Sequence, residues 1–262
     1  MSDLFRAERD TIAGLGLLAA NYVRFDPPLV SPAGVSHVRG FNVFCIIVDN
    51  IDGEVLAIDQ NQIHGTFNPL QHAEQVGVRN AIDKLHVKRP KPVDMPVETY
   101  YKQRLFMAPG TAAGDYVNKG CTLYNTFDPC GMCAVTLLVC YMKRIAYLFE
   151  DAKFDGVYES MRKYFKNRES IKEPLALIEV PAENLSPLQS GAQLIDSLRK
   201  KVHSLEESGT PLVMTLDQCR EELPQATRLL MQIHPEHLQT TDTDRERNLR
   251  TLSDVKQICN LQ

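Results

Sequence analysis

The amino-acid sequence predicts an α/β fold that is followed by a mainly helical C-terminal region. Runs rich in β-branched and aromatic residues, which are typical of strands, occur at residues 42–48, 54–59, 121–127 and 144–150. Periodic apolar patterns at 72–87 and 130–142 predict helices between them, and such alternation is typical of an α/β domain. Beyond residue 151 the helical pattern dominates.

Composition limits the class of protein. The chain has 262 residues, of which 44% are hydrophobic and 24% are charged, as in ordinary globular proteins. The net charge of -4 argues against a broad basic surface for nucleic acid. No run approaches the roughly 18 apolar residues of a membrane span, and the N-terminus has no apolar signal segment. We therefore expect a cytoplasmic protein whose seven cysteines are reduced rather than paired in disulfides.

The N-terminal third is predicted to contain one helix and one hairpin. Residues 3–22 have the pattern of an amphipathic helix, with an apolar face of Leu4, Ile12, Leu15 and Leu18. Prolines and glycines at 24–40 indicate an ordered loop. The turn at residues 50–53 joins the first two strands, and a further loop containing His64 leads to the helix at 72–87.

Residues 88–119 differ in composition from the segments on either side, and we interpret them as an insertion with a short helix at about 98–108. After the strand at 121–127, the helix at 130–142 is apolar on all sides, which predicts that it is buried. The strand at 144–150 follows.

The C-terminal region is predicted to be helical at about residues 153–168, 188–207, 215–233 and 247–259. A short strand is expected at 175–180, and Pro224 should kink or split the third of these helices. We interpret residues 1–155 as the main domain and 156–262 as an extension packed on the same core.

Two short motifs, H-A-E at residues 72–74 and P-C-G-M-C at 129–133, contain candidate metal ligands. The spacing of Cys130 and Cys133 places both sulfurs on one face of a first helical turn, and His72 adds a nitrogen. A catalytic zinc site uses three such ligands and leaves one position open for water. Glu74 is better placed to handle a proton on that water than to act as a fourth ligand.

The C-x-x-C spacing has two other interpretations. It could be a redox pair, or it could be half of a closed structural zinc site whose fourth ligand is Cys121, His64 or Cys140. The combination of H-x-E with P-C-x-x-C, each at the start of a helix behind a strand, favours the signature of the zinc deaminases.

These residues resemble the cytidine deaminase-like superfamily, and within it the branch of tRNA adenosine deaminases and guanine deaminases. The segment N-P-L-Q-H-A-E at 68–74 is similar to that branch's D-P-T-A-H-A-E. The segment L-Y-N-T-F-D-P-C-G-M-C at 123–133 is similar to its L-Y-V-T-L-E-P-C-P-M-C, and K-R-I-A-Y at 143–147 is similar to its K-R-V-V-Y. The resemblance covers roughly residues 40–155.

The resemblance implies a three-layer α/β/α fold with a mixed five-stranded sheet. It also implies Zn²⁺ held by His72, Cys130 and Cys133, with Glu74 as the catalytic proton shuttle, and a homodimer or larger homo-oligomer. Asn61 stands where that branch has an asparagine that contacts the substrate base. To it we add as substrate-binding residues Asn42, Phe44, His64, Ala73 and Asp128.

The chain departs from the branch at positions near the expected pocket. Phe44 and Cys45 stand where a Gly-Ala pair is usual, which would alter the pocket wall, and Asp128 stands where a glutamate is usual. The insertion at 88–119 lengthens the separation between His72 and Cys130.

The predicted activity is hydrolytic removal of an exocyclic amine from a nucleobase, nucleoside or related aminated heterocycle, with release of ammonia. Two alternatives remain. A nucleic-acid-acting adenosine or cytidine deaminase would need an exposed groove, which could be lined by Lys88, Arg89, Lys91, Lys102 and Arg104. A non-catalytic, zinc-stabilised interaction protein would have its pocket blocked by Phe44. The acidic composition favours a small substrate, and Glu74 argues against the non-catalytic alternative.

Overall fold

A mixed five-stranded sheet with helices on both faces forms the centre of the protein. The computed structural model describes residues 3–24, 29–30, 36–37, 41–90, 93–94, 96–97, 120–151, 153, 156–164, 170–181 and 183–258. The strands of the main sheet are β3 (Phe44–Asp49), β4 (Val55–Gln60), β5 (Cys121–Phe127), β6 (Arg144–Phe149) and β7 (Ile171–Pro174). Two further strands of two residues each, β1 (Leu29–Val30) and β2 (Ser36–His37), pair with one another where the sequence predicted a loop.

The sheet has the order β4-β3-β5-β6-β7. Strand β3 runs antiparallel to both β4 and β5, whereas β5, β6 and β7 are parallel. The predicted α/β class and the mixed five-stranded sheet are therefore confirmed. Because of this topology, the ends of β4, β5 and β6 lie at the same edge of the sheet as the beginning of β3.

The described helices alternate with the strands and then dominate the C-terminal part, as predicted. They are α1 (Asp3–Arg24), α2 (Ile63–Thr66), α3 (Ala73–Lys88), α4 (Gly131–Val139), α5 (Val157–Tyr164), α6 (Pro187–Glu207), α7 (Leu212–Gln218), α8 (Leu223–Gln232) and α9 (Asp242–Ile258). The separation of α7 from α8 confirms the break expected from Pro224, which lies in the first turn of α8.

The two faces of the sheet are covered by different helices. On one face, Cys45 and Ile47 of β3 pack in a cluster with residues of α3, α4 and α5. On the other face, Phe44, Ile46 and Val48 pack with α1 and the C-terminal helices. This alternation follows from the two-residue period of a strand.

The helix predicted at 3–22 is confirmed as α1, but it is buried on nearly all sides between residues 7 and 21 rather than on one apolar face. Its charged residues Glu8, Arg9 and Asp10 are buried with partners. Asp10 accepts two hydrogen bonds from the Arg144 guanidinium, at 2.7 and 2.6 Å, and Arg9 donates to Asn50 at 2.8 Å. The C-terminal helices α6, α8 and α9 pack against α1.

Three other boundaries differ from the prediction. Helix α4 ends at Val139. It is not buried on all sides as predicted, since Val139 is 52% exposed. Strand β7 lies just before the predicted strand at 175–180, and α9 begins at Asp242 rather than near residue 247. Much of the predicted insertion, including the helix at 98–108, falls outside the described residues. In the part of the chain that the structure describes, no helix has the length and apolar character needed to cross a membrane.

Candidate functional site

The candidate site lies where α3 and α4 both begin, at the edge of the sheet that receives the ends of β4 and β5. His72 is the residue before α3 and Cys130 is the residue before α4, and both have extended backbones. Neither side chain caps its own helix through a hydrogen bond. They face one another instead, with 3.7 Å between Cys130 Sγ and His72 Nδ1.

Cys133 completes the group from within the first turn of α4. The candidate ligand atoms of His72, Cys130 and Cys133 all lie within 4.8 Å of one another, and Cys133 is fully buried. Zinc binds sulfur at about 2.3 Å and histidine nitrogen at about 2.0–2.1 Å, so one ion could reach all three atoms. The imidazole and the two thiols are ligand types that suit zinc.

The electrostatics of the cluster favour a thiolate. The hydrogen bond from the Cys133 thiol, together with His72, lowers the pKa of Cys130 to about 4. The same interaction with Cys130 raises the pKa of Cys133, and Cys130 also raises the pKa of His72. A deprotonated sulfur beside an imidazole provides negative charge where a metal cation would bind.

Glu74, the second residue of α3, lies beside this cluster and is only 3% exposed. Burial raises the pKa of its carboxyl group. Oε1 accepts a hydrogen bond of 2.9 Å from Asn125 Nδ2, whereas Oε2 has no partner among the described residues. The site therefore contains a buried carboxylate with one oxygen held and the other available.

The sequence analysis did not single out Asn125, although one signal was present. It is the polar residue in the middle of the strand segment L-Y-N-T-F, at a position where the similar motif of the deaminase branch has valine. A buried asparagine in a central strand requires hydrogen-bond partners, so this difference could have directed attention to the residue.

Asn61 and Asn42 lie at the same edge of the sheet. The Asn61 backbone N–H donates to the carbonyl oxygen of Val43 at 2.9 Å, and the next residue, Gln62, donates to Gln71 at 2.8 Å, directly before His72. The Asn61 side-chain oxygen accepts from the backbone of Ile63. Asn42 is buried, and its Nδ2 donates to Asp217 of α7 at 2.5 Å.

The remaining predicted substrate-binding residues have different surroundings. Ala73 is buried, and its carbonyl oxygen accepts from Cys45 Sγ at 3.1 Å. His64 is exposed, with its ring against the edge of Phe41. Asp128 is 5% exposed and pairs with Lys172 at 2.6 Å, and burial raises the pKa of Asp128 to about 6 despite that cation.

Phe44 is not brought to the cluster. Its side chain packs in the core on the α1 side of the sheet, while its neighbour Cys45 faces α3. The expectation that Phe44 forms the pocket wall needs correction, because successive residues of a strand face opposite sides.

Two of the possible fourth ligands of a closed structural site, Cys121 and Cys140, lie at the ends of their elements that point away from the cluster. Cys121 begins β5 and pairs with Asp49, at the opposite end of the strand from Asp128. Cys140 follows the C-terminal end of α4. Among the described residues, the metal-type group contains His72, Cys130 and Cys133 alone.

Comparison with known proteins agrees with this geometry. Residues 30–149 match the family model described as the cytidine and deoxycytidylate deaminase zinc-binding region. The match covers just under half of the chain and fits the cytidine deaminase-like superfamily. The matched residues include the whole cluster and Glu74.

Its relatives include tRNA-specific adenosine deaminases. That of Rickettsia felis is 23% identical over 142 residues, which cover 54% of this chain and 78% of the relative. That of Aquifex aeolicus is 22% identical over 153 residues, covering 58% of this chain and 78% of the relative.

Two solved structures are also similar to this chain. One comes from a study of A-to-I editing by tRNA:A34 deaminases, with 20% identity, coverage of 50% of this chain and 82% of that one, and a TM-score of 0.34. The other is a guanine deaminase from Nitrosomonas europaea, with 13% identity, coverage of 69% and 90%, and a TM-score of 0.37.

Proposed function

We propose that the protein is a zinc-dependent hydrolytic deaminase that removes an exocyclic amine from a nucleobase, nucleoside or related aminated heterocycle and releases ammonia. The observation that supports this most directly is the buried Glu74 carboxylate beside the His72, Cys130 and Cys133 cluster. A structural metal site has no use for such a carboxylate, whereas a hydrolytic site needs a group that moves protons.

His72, Cys130 and Cys133 would hold the zinc ion, and the low pKa of Cys130 supports this assignment. When bound, zinc acts as a Lewis acid that makes water a nucleophile near neutral pH. No fourth protein ligand joins the group within the described ranges, as a catalytic rather than structural site requires.

Glu74 would move the protons. Its Oε2, which has no protein partner in the described part of the chain, would accept a proton from the attacking water. The same carboxyl group would pass that proton to the ring nitrogen. It would then take the proton that remains on the attacking oxygen and donate it to the amine, which departs as ammonia while the ring carbonyl forms. Its raised pKa suits both directions of transfer, because a buried carboxyl group holds a proton at a higher pH than an exposed one.

The substrate would bind at the edge of the sheet between the beginnings of α3 and α4. We assign contacts with the ring to the amides of Asn61 and Asn42, with His64 and Asp128 at the periphery and Ala73 between His72 and Glu74. Phe44 is not included, because its ring lies on the opposite face of the sheet. A homodimer or larger homo-oligomer in the cytoplasm remains our expectation.

A nucleic-acid substrate is the second candidate, because the relatives from Rickettsia felis and Aquifex aeolicus are tRNA-specific adenosine deaminases. Two of the basic residues predicted for a groove are engaged within the chain. Lys88 Nζ lies 2.7–2.8 Å from carboxylate oxygens of Asp49, Asp52 and Glu54, and Arg89 also pairs with Asp49. Lys91, Lys102 and Arg104 lie outside the described residues. A small substrate is therefore favoured.

The activity is tested by measuring ammonia release from the zinc-loaded protein with a panel of bases, nucleosides, nucleotides, pterins and triazines. We expect turnover of one class, and Glu74→Ala should lower it by about 10²–10⁴-fold while keeping one zinc per chain, because only the proton transfer is removed. Asp83→Asn, on the exposed side of the same helix, is the matched control. Near wild-type turnover by Glu74→Ala would show that Glu74 does not shuttle the proton.

The metal ligands are tested by elemental analysis. Cys133→Ala should abolish the retention of zinc after dialysis, because it leaves two of three protein ligands, whereas Cys140→Ser should retain one zinc per chain. A full zinc content in Cys133→Ala would contradict the assignment.

The two substrate classes are separated by the outcome of the panel. If the zinc-loaded protein releases no ammonia from any small molecule, it should be incubated with tRNA transcripts and single-stranded oligonucleotides. Nuclease digestion of these substrates should then show whether inosine or uridine has formed. Product in that assay would select the second candidate, and silence in both would reject the deaminase proposal.

A further inference from the structure

We propose that Asn125 is a positioning residue that holds the Glu74 carboxylate in its working orientation. This inference rests on the proposed function, in which Glu74 moves the proton. Asn125 would not touch the substrate. It would act by fixing one carboxylate oxygen, so that the other stays directed at the reacting groups.

The geometry of Asn125 is determined by its own strand. It lies in β5 opposite Cys45 of β3, and both side chains are on the face of the sheet that α3 covers. Its side chain is fully buried. Nδ2 donates to Glu74 Oε1 at 2.9 Å and to the carbonyl oxygen of Phe127 at 2.7 Å. The second bond ties the amide to the backbone of β5, so its orientation towards Glu74 is set before any substrate binds.

Packing alone does not account for an asparagine at this position. Its Oδ1 is buried and has no partner among the described residues. A buried acceptor without a hydrogen bond lowers the stability of the folded state. A valine would fill a similar volume without that penalty, and the motif of the similar deaminase branch has valine there. The features that valine could not supply are the hydrogen bonds to Glu74 and to the Phe127 carbonyl oxygen, and of these only the first reaches a group that moves protons.

The backbone that carries Glu74 is also fixed in position. The backbone of α3 is anchored at its first residue, where the Ala73 carbonyl oxygen accepts from Cys45 Sγ at 3.1 Å. With the helix fixed to β3 and the carboxylate fixed to β5, the side chain has little freedom left. A group that needs no reorientation in the transition state accelerates the chemical step more than a freely rotating one.

This role predicts an effect on kcat rather than on KM. Asn125→Val should lower kcat about tenfold or more, since hydrogen bonds to charged groups are among the stronger ones. KM should stay within about twofold and zinc at one per chain, because neither a ligand nor a substrate contact is removed. The thermal unfolding midpoint should fall, because the substitution removes the buried hydrogen bonds to Glu74 and to the Phe127 carbonyl oxygen, although it also eliminates the unpaired Oδ1.

Thr126→Val is the matched control. Thr126 is the next residue of β5, is equally buried, and donates to the Phe44 carbonyl oxygen on the other face of the sheet. This variant should lower the unfolding midpoint and leave kcat unchanged, so it separates an effect of lost stability from an effect on Glu74. A kcat of at least half the wild-type value in Asn125→Val would overturn the proposal, and so would a loss of kcat that merely follows lost zinc or lost folded protein.

A second measurement does not depend on turnover. In protein labelled with ¹⁵N-asparagine, the side-chain amide pair that disappears in Asn125→Val identifies Asn125. That pair should shift in Glu74→Ala and stay in place in Asp83→Asn. If no substrate is found and the amide signal shifts, the proposed function has failed and the contact stands. If the Asn125 amide signal does not shift in Glu74→Ala, the positioning role is wrong whatever the substrate.

Discussion

Gly77 lies where α3 makes its closest approach to β3. A Cβ atom added there would lie 2.5 Å from Cys45 Sγ, well inside van der Waals contact. Alanine normally stabilises a helix interior relative to glycine by about 1 kcal/mol. Here we expect the opposite: Gly77→Ala should lower the unfolding midpoint and the zinc content, because α3 carries Glu74 and begins directly after His72. Thermal denaturation and elemental analysis measure both effects.

The cause of that effect can be isolated with a second substitution. Cys45→Ala removes the sulfur that the new methyl group would meet. The double variant should then be more stable than the sum of the two single effects predicts. Strict additivity would show that the proximity of Gly77 and Cys45 is not the reason for the loss.

The residues of the site divide into those that local spacing predicts and those that depend on strand register. His72, Glu74, Cys130 and Cys133 each lie at the start of a helix, so their spacing along the chain is enough to suggest a group. Asn125 reaches Glu74 across 51 positions of sequence, and that contact exists only when β5 is beside β3. Phe44 was assigned to the pocket together with Cys45, although the alternation of a strand allows only one of two neighbours on that side.

At the scale of elements, the sequence predicted the strands and helices well, but not which of their faces are covered. Helix α1 has charged residues at positions 8 to 10 and was expected to be half exposed, yet Glu8, Arg9 and Asp10 are buried among partners from distant segments. Helix α4 is apolar throughout and was expected to be fully buried, yet one side is open. A hydrophobic pattern shows which residues of an element are apolar. Whether a face of that element is buried depends on which other parts of the chain pack against it.

The pair of Asp10 and Arg144 joins α1 to β6. The two side chains form two hydrogen bonds, and Asp10 also accepts from the backbone of Ala176 at 2.8 Å. Asp10→Ala should lower the free energy of unfolding by about 3–5 kcal/mol, because it leaves the buried Arg144 guanidinium without this partner. Chemical denaturation measures the change.

Asp3 provides the comparison on the same helix. It is fully exposed and lies 3.6 Å from Arg6. Asp3→Ala should have little effect, because exposed ion pairs contribute little to stability. If Asp10→Ala were as mild as Asp3→Ala, the buried pair would not be what holds α1 against the sheet.

At the scale of the whole molecule, one core extends from the sheet through α1 to the C-terminal helices. Gly14 and Gly16 allow this packing. A Cβ at Gly14 would lie 2.8 Å from Ile195 in α6, and a Cβ at Gly16 would lie 2.5 Å from Val255 in α9. The reason for these glycines lies in contacts with residues far along the chain, so the sequence of α1 alone does not explain them.

A shared core predicts cooperative unfolding. In calorimetry, the intact chain should give one transition whose calorimetric and van't Hoff enthalpies agree. A chain that ends at residue 183 should fail to fold, because the face of α1 that packs on α6, α8 and α9 would be uncovered. Two separate transitions, or a stable truncated protein, would instead support independent units on either side of the predicted boundary at residue 155.

The placement of α1 has a consequence for synthesis on the ribosome. Helix α1 precedes the other described helices along the chain, and it is covered by α8 and α9, which are the last of them. At about 5–20 residues per second, roughly 10–50 s separate the end of α1 from the end of α9. Until translation is almost complete, the sides of α1 that α8 and α9 cover lack their native partners. The exposed apolar surface favours transient or chaperone contacts in that interval.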